Sequence, residues 1–281
     1  MTLSKQKTCS NTIAFAFLCL LAAIFLVPIL LVLLNSFKSR FYISSSPFAM
    51  PNSETFVGFE NYLNGLSSSG FFISFIRSVW VSIASVLVII VCTSMASWFI
   101  VRVKNKFTKA IYFLFAFSMI VPFQMVMYTM TFIVNRISFD NVFGIVFVYL
   151  GFGAGLSVFM FTGFVKAVPL EIEEAAEIDG CNPLQTFFLV VFPILKPTII
   201  TVSILNSMWV WNDYLLPYLI LGTDHKTVPV AIQIAMQGAY GATDYGGFMA
   251  MLVLAIIPIV IFYIASQKYI IKGVISGAVK G

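Results

Sequence analysis

Six long apolar runs decide what this chain can fold into. They cover 13–34, 78–101, 110–134, 142–165, 198–221 and 247–267. A helix needs about 20 apolar residues to cross roughly 30 Å of hydrocarbon, and each run meets or approaches that length. The runs are continuous rather than alternating, so spanning helices are expected, not barrel strands. Charged residues make up only 10% of the chain and hydrophobic ones 60%, against about 25% charged in a soluble domain. The expected class is therefore an all-α membrane protein with six transmembrane helices, forming one membrane domain over 1–281. The first run exceeds the roughly 7–15 apolar residues of a cleavable leader and is read as a retained helix.

Lysine and arginine follow the membrane rather than a nucleic acid. With the N-terminus cytoplasmic, Lys5, Lys7, Arg102, Lys104, Lys106, Lys109, Lys166, Lys196, Lys268, Lys272 and Lys280 lie inside. Lys38, Arg40, Arg77, Arg136 and Lys226 lie outside. The bias towards the inner side predicts both termini in the cytoplasm. The cysteines offer no disulfide framework: Cys19 and Cys92 fall in spans and are expected to be buried as small apolar residues, while Cys9 and Cys181 face the reducing side. His225 stands in an outer loop without a metal-binding cluster, so neither a metal nor a cofactor is expected. No phosphate-binding Gly-x-x-x-x-Gly-Lys-Ser/Thr signature is present, so any energy source is an ion gradient or a partner protein.

Between the runs, 35–71 forms an outer loop rich in Ser, Pro, Asn and Gly, a composition that holds turns rather than a core. Pro122, Pro217 and Pro258 lie inside spans; they serve either simple packing kinks or hinges.

The charged stretch 166–196 reads as helix, turn, helix. Pro169 suits a helix start, and Glu171, Glu173 and Glu174 sit in the first turns where carboxylates are favoured. Ala175 and Ala176 make a thin, strong helix, and Gly180 stops it. Asn182 caps a second helix with Pro183 at its first position and Gln185 closing the box. Pro193 and Pro197 end that helix and lead into the fifth span.

The pattern Glu174-Ala175-Ala176, three residues, Gly180, nine residues, Val190-Val191-Phe192-Pro193 resembles the EAA loop of ABC importer permeases, with Val190 for the usual Ile and Phe192 for the usual Leu. The resemblance extends along nearly the whole chain to the smaller permease of maltose-type carbohydrate importers. It is carried by Asn35-Ser36-Phe37-Lys38, Gly58-Phe59-Glu60-Asn61-Tyr62, Ile120-Val121-Pro122-Phe123-Gln124, Trp211-Asn212-Asp213-Tyr214 and Gly277-Ala278-Val279-Lys280-Gly281. One departure is Tyr128-Thr129-Met130, where that family has a Pro-Leu pair. The resemblance implies the MetI-like type I importer fold with a cytoplasmic EAA coupling helix. It also implies an ABC ATPase dimer, a second homologous permease, an extracytoplasmic sugar-binding protein and membrane lipid as partners. ATP binding and hydrolysis in the ATPase would then drive alternating access for a sugar. Glu174, Ala175, Ala176, Asp179, Gly180 and Pro193 are the implied ATPase-coupling residues. The C-terminal tail 269–281 either reaches the ATPase interface or stays solvated.

Asp213 is the one acid within a run, and an ionisable group inside a membrane marks function by default. Asn212 offers donors and acceptors; Trp209, Trp211 and Tyr214 offer aromatic faces for sugar rings. Gln124, Trp209, Asn212, Asp213 and Tyr214 are the candidate substrate-pathway residues. On a continuous helix 212 and 213 would diverge from the face shared by 211 and 214, so not all would line one cavity. Asp213 could equally bond to a neighbouring helix. Other readings are an ABC permease for glycerol phosphate or a polyamine, or an ion-driven secondary transporter. The first wants deep cations for a phosphate and the second wants inverted repeats with several midplane ionisable groups. An enzyme would need a polar catalytic cluster, and none appears.

Overall fold

In the computed structural model the backbone is described for residues 2–236 and 243–278, and side chains for 12–236 and 243–269. Of the tail 269–281, for which contact with an ATPase or solvation is expected, the side chains of 270–281 lie outside these described residues.

The elements are helical. They are α1 (Thr2–Asn35), α2 (Arg40–Ser45), α3 (Glu60–Ser69), α4 (Phe71–Arg102), α5 (Lys106–Ser118), α6 (Phe123–Arg136) and α7 (Gly144–Val165). There follow α8 (Leu170–Ile178), α9 (Pro183–Ile194), α10 (Lys196–Asn212), α11 (Leu215–Leu221), α12 (Val228–Met236) and α13 (Tyr245–Ala278). Among the described residues four helices are long and apolar enough to cross a membrane: Thr12–Asn35, Phe71–Arg102, Gly144–Val165 and Tyr245–Tyr269. Two bent pairs, α5 with α6 and α9 with α10, raise the number to six when each counts as one span. In the first of these spans none of the most apolar window is buried against the chain. A bare apolar helix of this kind is stable only where hydrocarbon or another protein covers it.

The third span departs from the expected single helix over 110–134. It is two helices meeting at 108°. Pro122 is the physical cause: it has no N–H to donate, and at φ −62°, ψ 139° it starts α6 rather than continuing α5. The last turn of α5 closes through Met119 N–H to Ala116 and Ile120 N–H to Phe117. Gly155 of α7 lets this end approach: a Cβ there would stand 2.6 Å from Ser118 Oγ and 2.9 Å from the Phe115 carbonyl. The fifth span is likewise interrupted, ending as a helix at Asn212 and resuming at Leu215. Cys19 and Cys92 are exposed rather than buried; a thiol on an outward face of a spanning helix meets lipid, which solvates it as well as a core does.

The chain divides into two compact units. The first comprises Met1–Phe71 and Ala231–Ile257. Its loop, expected to hold only turns, carries α2 and α3 and a small polar and aromatic centre. Asn61 is buried and donates from Nδ2 to the carbonyls of Ser36 and Lys38, 2.8 Å each. Ser36 Oγ and Tyr62 Oη are 2.7 Å apart, and the Phe37 ring is packed by Phe56, Phe59 and Tyr62. Gly65 brings α3 against α13, where a Cβ would reach 2.8 Å from Met251 Cε. The motif residues of the span exit and of the outer loop are thus the ones that pin the loop down.

The second unit comprises Phe72–Val230 and Pro258–Gly281. It has two apolar cores. One gathers Val86, Ile89, Ile90, Phe161, Val165, Phe187, Val191, Leu195 and Val202; the other is built around Val81, Ile145, Tyr149, Val210 and Leu216.

Candidate functional site

The EAA loop folds by local chemistry. Pro169 stands at the N-cap of α8. At its other end Gly180 takes φ +86°, a left-handed conformation open to glycine at no steric penalty. Its N–H donates to the Glu177 carbonyl and the Cys181 N–H to the Ala176 carbonyl, both at 3.0 Å. These two bonds are the Schellman pattern, and they satisfy carbonyls the helix end would otherwise leave open. Two residues on, Asn182 Oδ1 accepts from Gln185 N–H at 3.0 Å and Gln185 Oε1 accepts from Asn182 N–H at 2.9 Å, with Pro183 in the first helical turn. The expected capping box is present, and the turn between helices is short and fully bonded.

The second helix is bolted to the spans. A wide π-helical segment, Thr186–Val191, turns Phe187, Val191 and then Leu195 fully inward onto the core of α4, α7 and α10. Each such side chain contributes about 1.5–3 kcal/mol where the alternative is water. Pro193 is exposed and sits within α9, which ends one residue later at Ile194; α10 then leaves at 77° with Pro197 in its first turn.

The first helix is held by a group that sequence reasoning placed only as a helix-dipole carboxylate. Glu173 is buried at 4% exposure. Arg102 donates to its Oε1 from Nη2 at 2.6 Å and Nε at 2.9 Å, and Trp98 Nε1–H donates to Oε2 at 2.9 Å. Arg102 Nη2 also reaches the Val168 carbonyl at 3.0 Å. The Trp98 ring packs 5.4 Å from Phe187. One turn at the end of α4 therefore grips both helices of the loop. The signal available in sequence was a cation closing a long apolar helix with a run of acids elsewhere, which does not say which acid pairs.

Of the expected coupling residues, Glu174, Ala175, Asp179, Gly180 and Pro193 are exposed, and Ala176 is buried with Glu173 on the inward side of α8. The outward side carries uncovered apolar residues: Ile178 at 86%, Leu189 at 68% and Leu184 at 60% exposure. Apolar groups left out on a short rigid element mark a contact surface.

The candidate substrate residues are only partly brought together. Tyr149 Oη donates to Asp213 Oδ2 at 3.1 Å, and the Tyr149 ring meets Trp209 edge-on at 5.3 Å. Asp213 has extended φ and ψ and accepts from the N–H groups of Leu215 and Leu216, capping α11. Its carboxylate thus has a structural task, and the alternative of a bond to a neighbouring helix is realised through Tyr149. Because α10 stops at Asn212, the helical phase relation assumed from 211 to 214 does not hold. Asn212 is exposed and donates to the Met208 carbonyl; Tyr214 stacks on Tyr218; Gln124 is exposed on α6. Trp211 instead faces a cavity of about 340 Å³ bordered by Ser82, Ser207, Met208 and Pro258, with mostly apolar walls. Tyr149 and Asn206, which is buried and bonded to Ser157, were not singled out from sequence. No group of side chains able to hold a metal ion occurs among the described residues.

The structure is that of a multi-pass helical membrane protein whose 166–196 loop is clamped to its spans. Residues 89–276 match the family model described as binding-protein-dependent transport system inner membrane component, and the chain belongs to that family. Relatives include the probable starch degradation products transport system permease protein AmyC of Thermoanaerobacterium thermosulfurigenes, 34% identical over 92% of this chain and 93% of its own. The multiple sugar-binding transport system permease protein MsmG of Streptococcus mutans is 35% identical over 91% and 92%. The melibiose/raffinose/stachyose import permease protein MelC of Bacillus subtilis is 31% identical over 98% and 99%. A chain from the crystal structure of a bacterial ABC transporter involved in the import of the acidic polysaccharide alginate has the same fold, with a TM-score of 0.75 at 19% identity over 94% of this chain and 97% of that one. The chain is an ABC importer permease, a transport component rather than an enzyme.

Proposed function

We propose that this chain is one of two transmembrane subunits of an ATP-driven, binding-protein-dependent sugar importer. Its EAA loop is the surface on which a cytoplasmic ATPase acts. The observation that carries this reading is the double-capped turn at Gly180, flanked by exposed Ile178, Leu184 and Leu189 and clamped to α4 through Glu173. An element of this design passes a push to the spans instead of absorbing it. The charge bias supports a cytoplasmic loop and cytoplasmic termini. The apolar window of α1, unburied by its own chain, leaves room for lipid and a homologous permease. The relatives named for starch products, multiple sugars and raffinose-type oligosaccharides support a sugar, most naturally an oligosaccharide, as cargo.

Alternating access follows in this reading. Closure of the ATPase dimer draws the two coupling loops together and turns the cavity outward to receive sugar from the binding protein; hydrolysis reverses it. Glu174, Ala175, Asp179, Gly180 and Pro193 form or shape the contact, and buried Ala176 keeps α8 close to its support. Of the candidate pathway side chains, Trp209 and Asp213 meet at Tyr149, where the Asp213 carboxylate supports the break in the fifth span; Tyr214 stacks on Tyr218, and Asn212 and Gln124 are exposed and free to meet sugar. The test is Gly180→Asp. A branched charge at φ +86° breaks the turn, so uptake is lost while the chain stays in the membrane. Normal uptake in that variant contradicts the coupling role.

A further inference from the structure

A second site lies at the ends of α4, α5 and α7. A cavity of about 740 Å³ opens there, and its rim carries Lys104, Lys109 and Lys166 beside Arg102. No carboxylate lines it. The Arg102 charge is matched by Glu173 at 2.6 Å, but among the described residues the three lysines form no ion pair. They arrive from three places: the link after α4, the first turn of α5 and the residue after α7. Local structure brings them together. Asn105 Oδ1 accepts from Thr108 N–H at 2.8 Å, and Thr108 Oγ1 donates to the Val103 carbonyl, so the chain reverses tightly between Lys104 and Lys109. Lys166 Nζ lies 5.7 Å from the centre of the Tyr112 ring, which holds it over the cavity.

A topological charge bias requires lysines on one side of the membrane; it does not require them to converge. Two further features name the ligand. The cavity sits where the apolar runs of α4 and α7 stop, which is headgroup depth, and it has apolar wall as well as basic rim through Ile100 and Leu170. Next to it, α5 turns outward Phe113, Leu114 and Phe117, 58–68% exposed, a face fit for acyl chains. Basic pockets between spanning helices take anionic lipid headgroups. We propose that this cavity binds the phosphate of an anionic phospholipid through Lys104, Lys109 and Lys166, with the acyl chains along α5. A soluble anion would have no use for the apolar wall.

The test is native mass spectrometry of the complex assembled on the full chain, purified in detergent supplemented with phosphatidylglycerol or phosphatidylcholine. The complex should retain phosphatidylglycerol and not phosphatidylcholine. Lys104→Gln, Lys109→Gln and Lys166→Gln should each lower retention about fivefold, from roughly 1 kcal/mol per lysine near a lipid surface. Arg136→Gln, exposed at another helix end, controls for general charge and should leave retention unchanged. Equal retention of both lipids overturns the proposal. So does displacement of the bound lipid by inorganic phosphate, which identifies a soluble-anion site. Unchanged lipid retention with loss of a protein subunit in the lysine variants also overturns it, because the cluster is then a protein interface.

Discussion

Arg102, the last residue of α4, and Glu173, in the first turns of α8, meet at 2.6 Å across 71 residues of sequence. The pair is little exposed, 20% for the arginine side chain and 5% for the glutamate. Its second oxygen is taken by the Trp98 indole. The EAA loop is covalently joined only to the fourth and fifth spans, so this contact ties it to the second span as well.

Removing one partner of such a pair leaves a charge buried and unmatched, at about 3–5 kcal/mol. Glu173→Ala and Arg102→Ala should therefore both lower the thermal stability of the purified complex and its level in the membrane. Arg102→Met combined with Glu173→Leu should recover much of that stability, because packed apolar groups replace the pair without an orphan charge. Uptake should recover less than stability, since the directional clamp on α8 is gone. Thermal melts and uptake per mole of membrane chain separate the two effects.

Asn61 offers a second test. Its Nδ2 joins the carbonyls of Ser36 and Lys38. Asn61→Leu strips both of their partner, at about 1–3 kcal/mol for each buried group left unsatisfied. Limited proteolysis should then cut the segment around Pro47–Asn52 faster, with the spans intact. An unchanged cleavage rate contradicts the anchoring role.

Asp213 distinguishes architecture from cargo. Asp213→Asn keeps Oδ1 for the N–H groups of Leu215 and Leu216 and places Nδ2 opposite Tyr149 Oη, whose hydroxyl can turn to accept from it, so membrane level and uptake should hold. Asp213→Ala removes the cap, at about 0.5–2 kcal/mol, and should lower chain level. A large rise in the KM for uptake with Asp213→Asn at normal level would instead assign the carboxylate to the sugar.

What was legible in the sequence follows the range of the interactions. The caps at Gly180 and at Asn182 with Gln185 act over a few residues, so their chemistry is written in neighbouring positions. The apolar runs gave the spans for the same reason, since a helix satisfies its own backbone. Pro122 announced a break but not the 108° between α5 and α6, which is set where the end of α5 packs at Gly155. The break at Asp213 lies four residues before Pro217, which cannot donate to the Asp213 carbonyl; in the sequence that proline marks a kink or hinge, not the loss of helix between Asn212 and Leu215. The distant partners of Glu173 lie 71 and 75 residues away, that of Asp213 64 and those of Asn61 up to 25. No local pattern chooses among the candidates at such separations. The inward turn of Phe187 and Val191 depends on a π-helical segment that the regular 3.6-residue period does not reveal.

The exposed face of the EAA loop is the surface proposed to meet an ATPase. The most direct measurement places a photo-crosslinking amino acid at Ile178, which is 86% exposed beside Gly180, in cells that are taking up sugar. The crosslinked product is then identified by mass spectrometry. One dominant adduct is expected, to a subunit carrying a nucleotide-binding Walker motif. That adduct should be lost with Gly180→Asp. Adducts to lipid alone, or to the homologous permease in place of the ATPase, in cells shown to retain uptake, contradict the proposed contact.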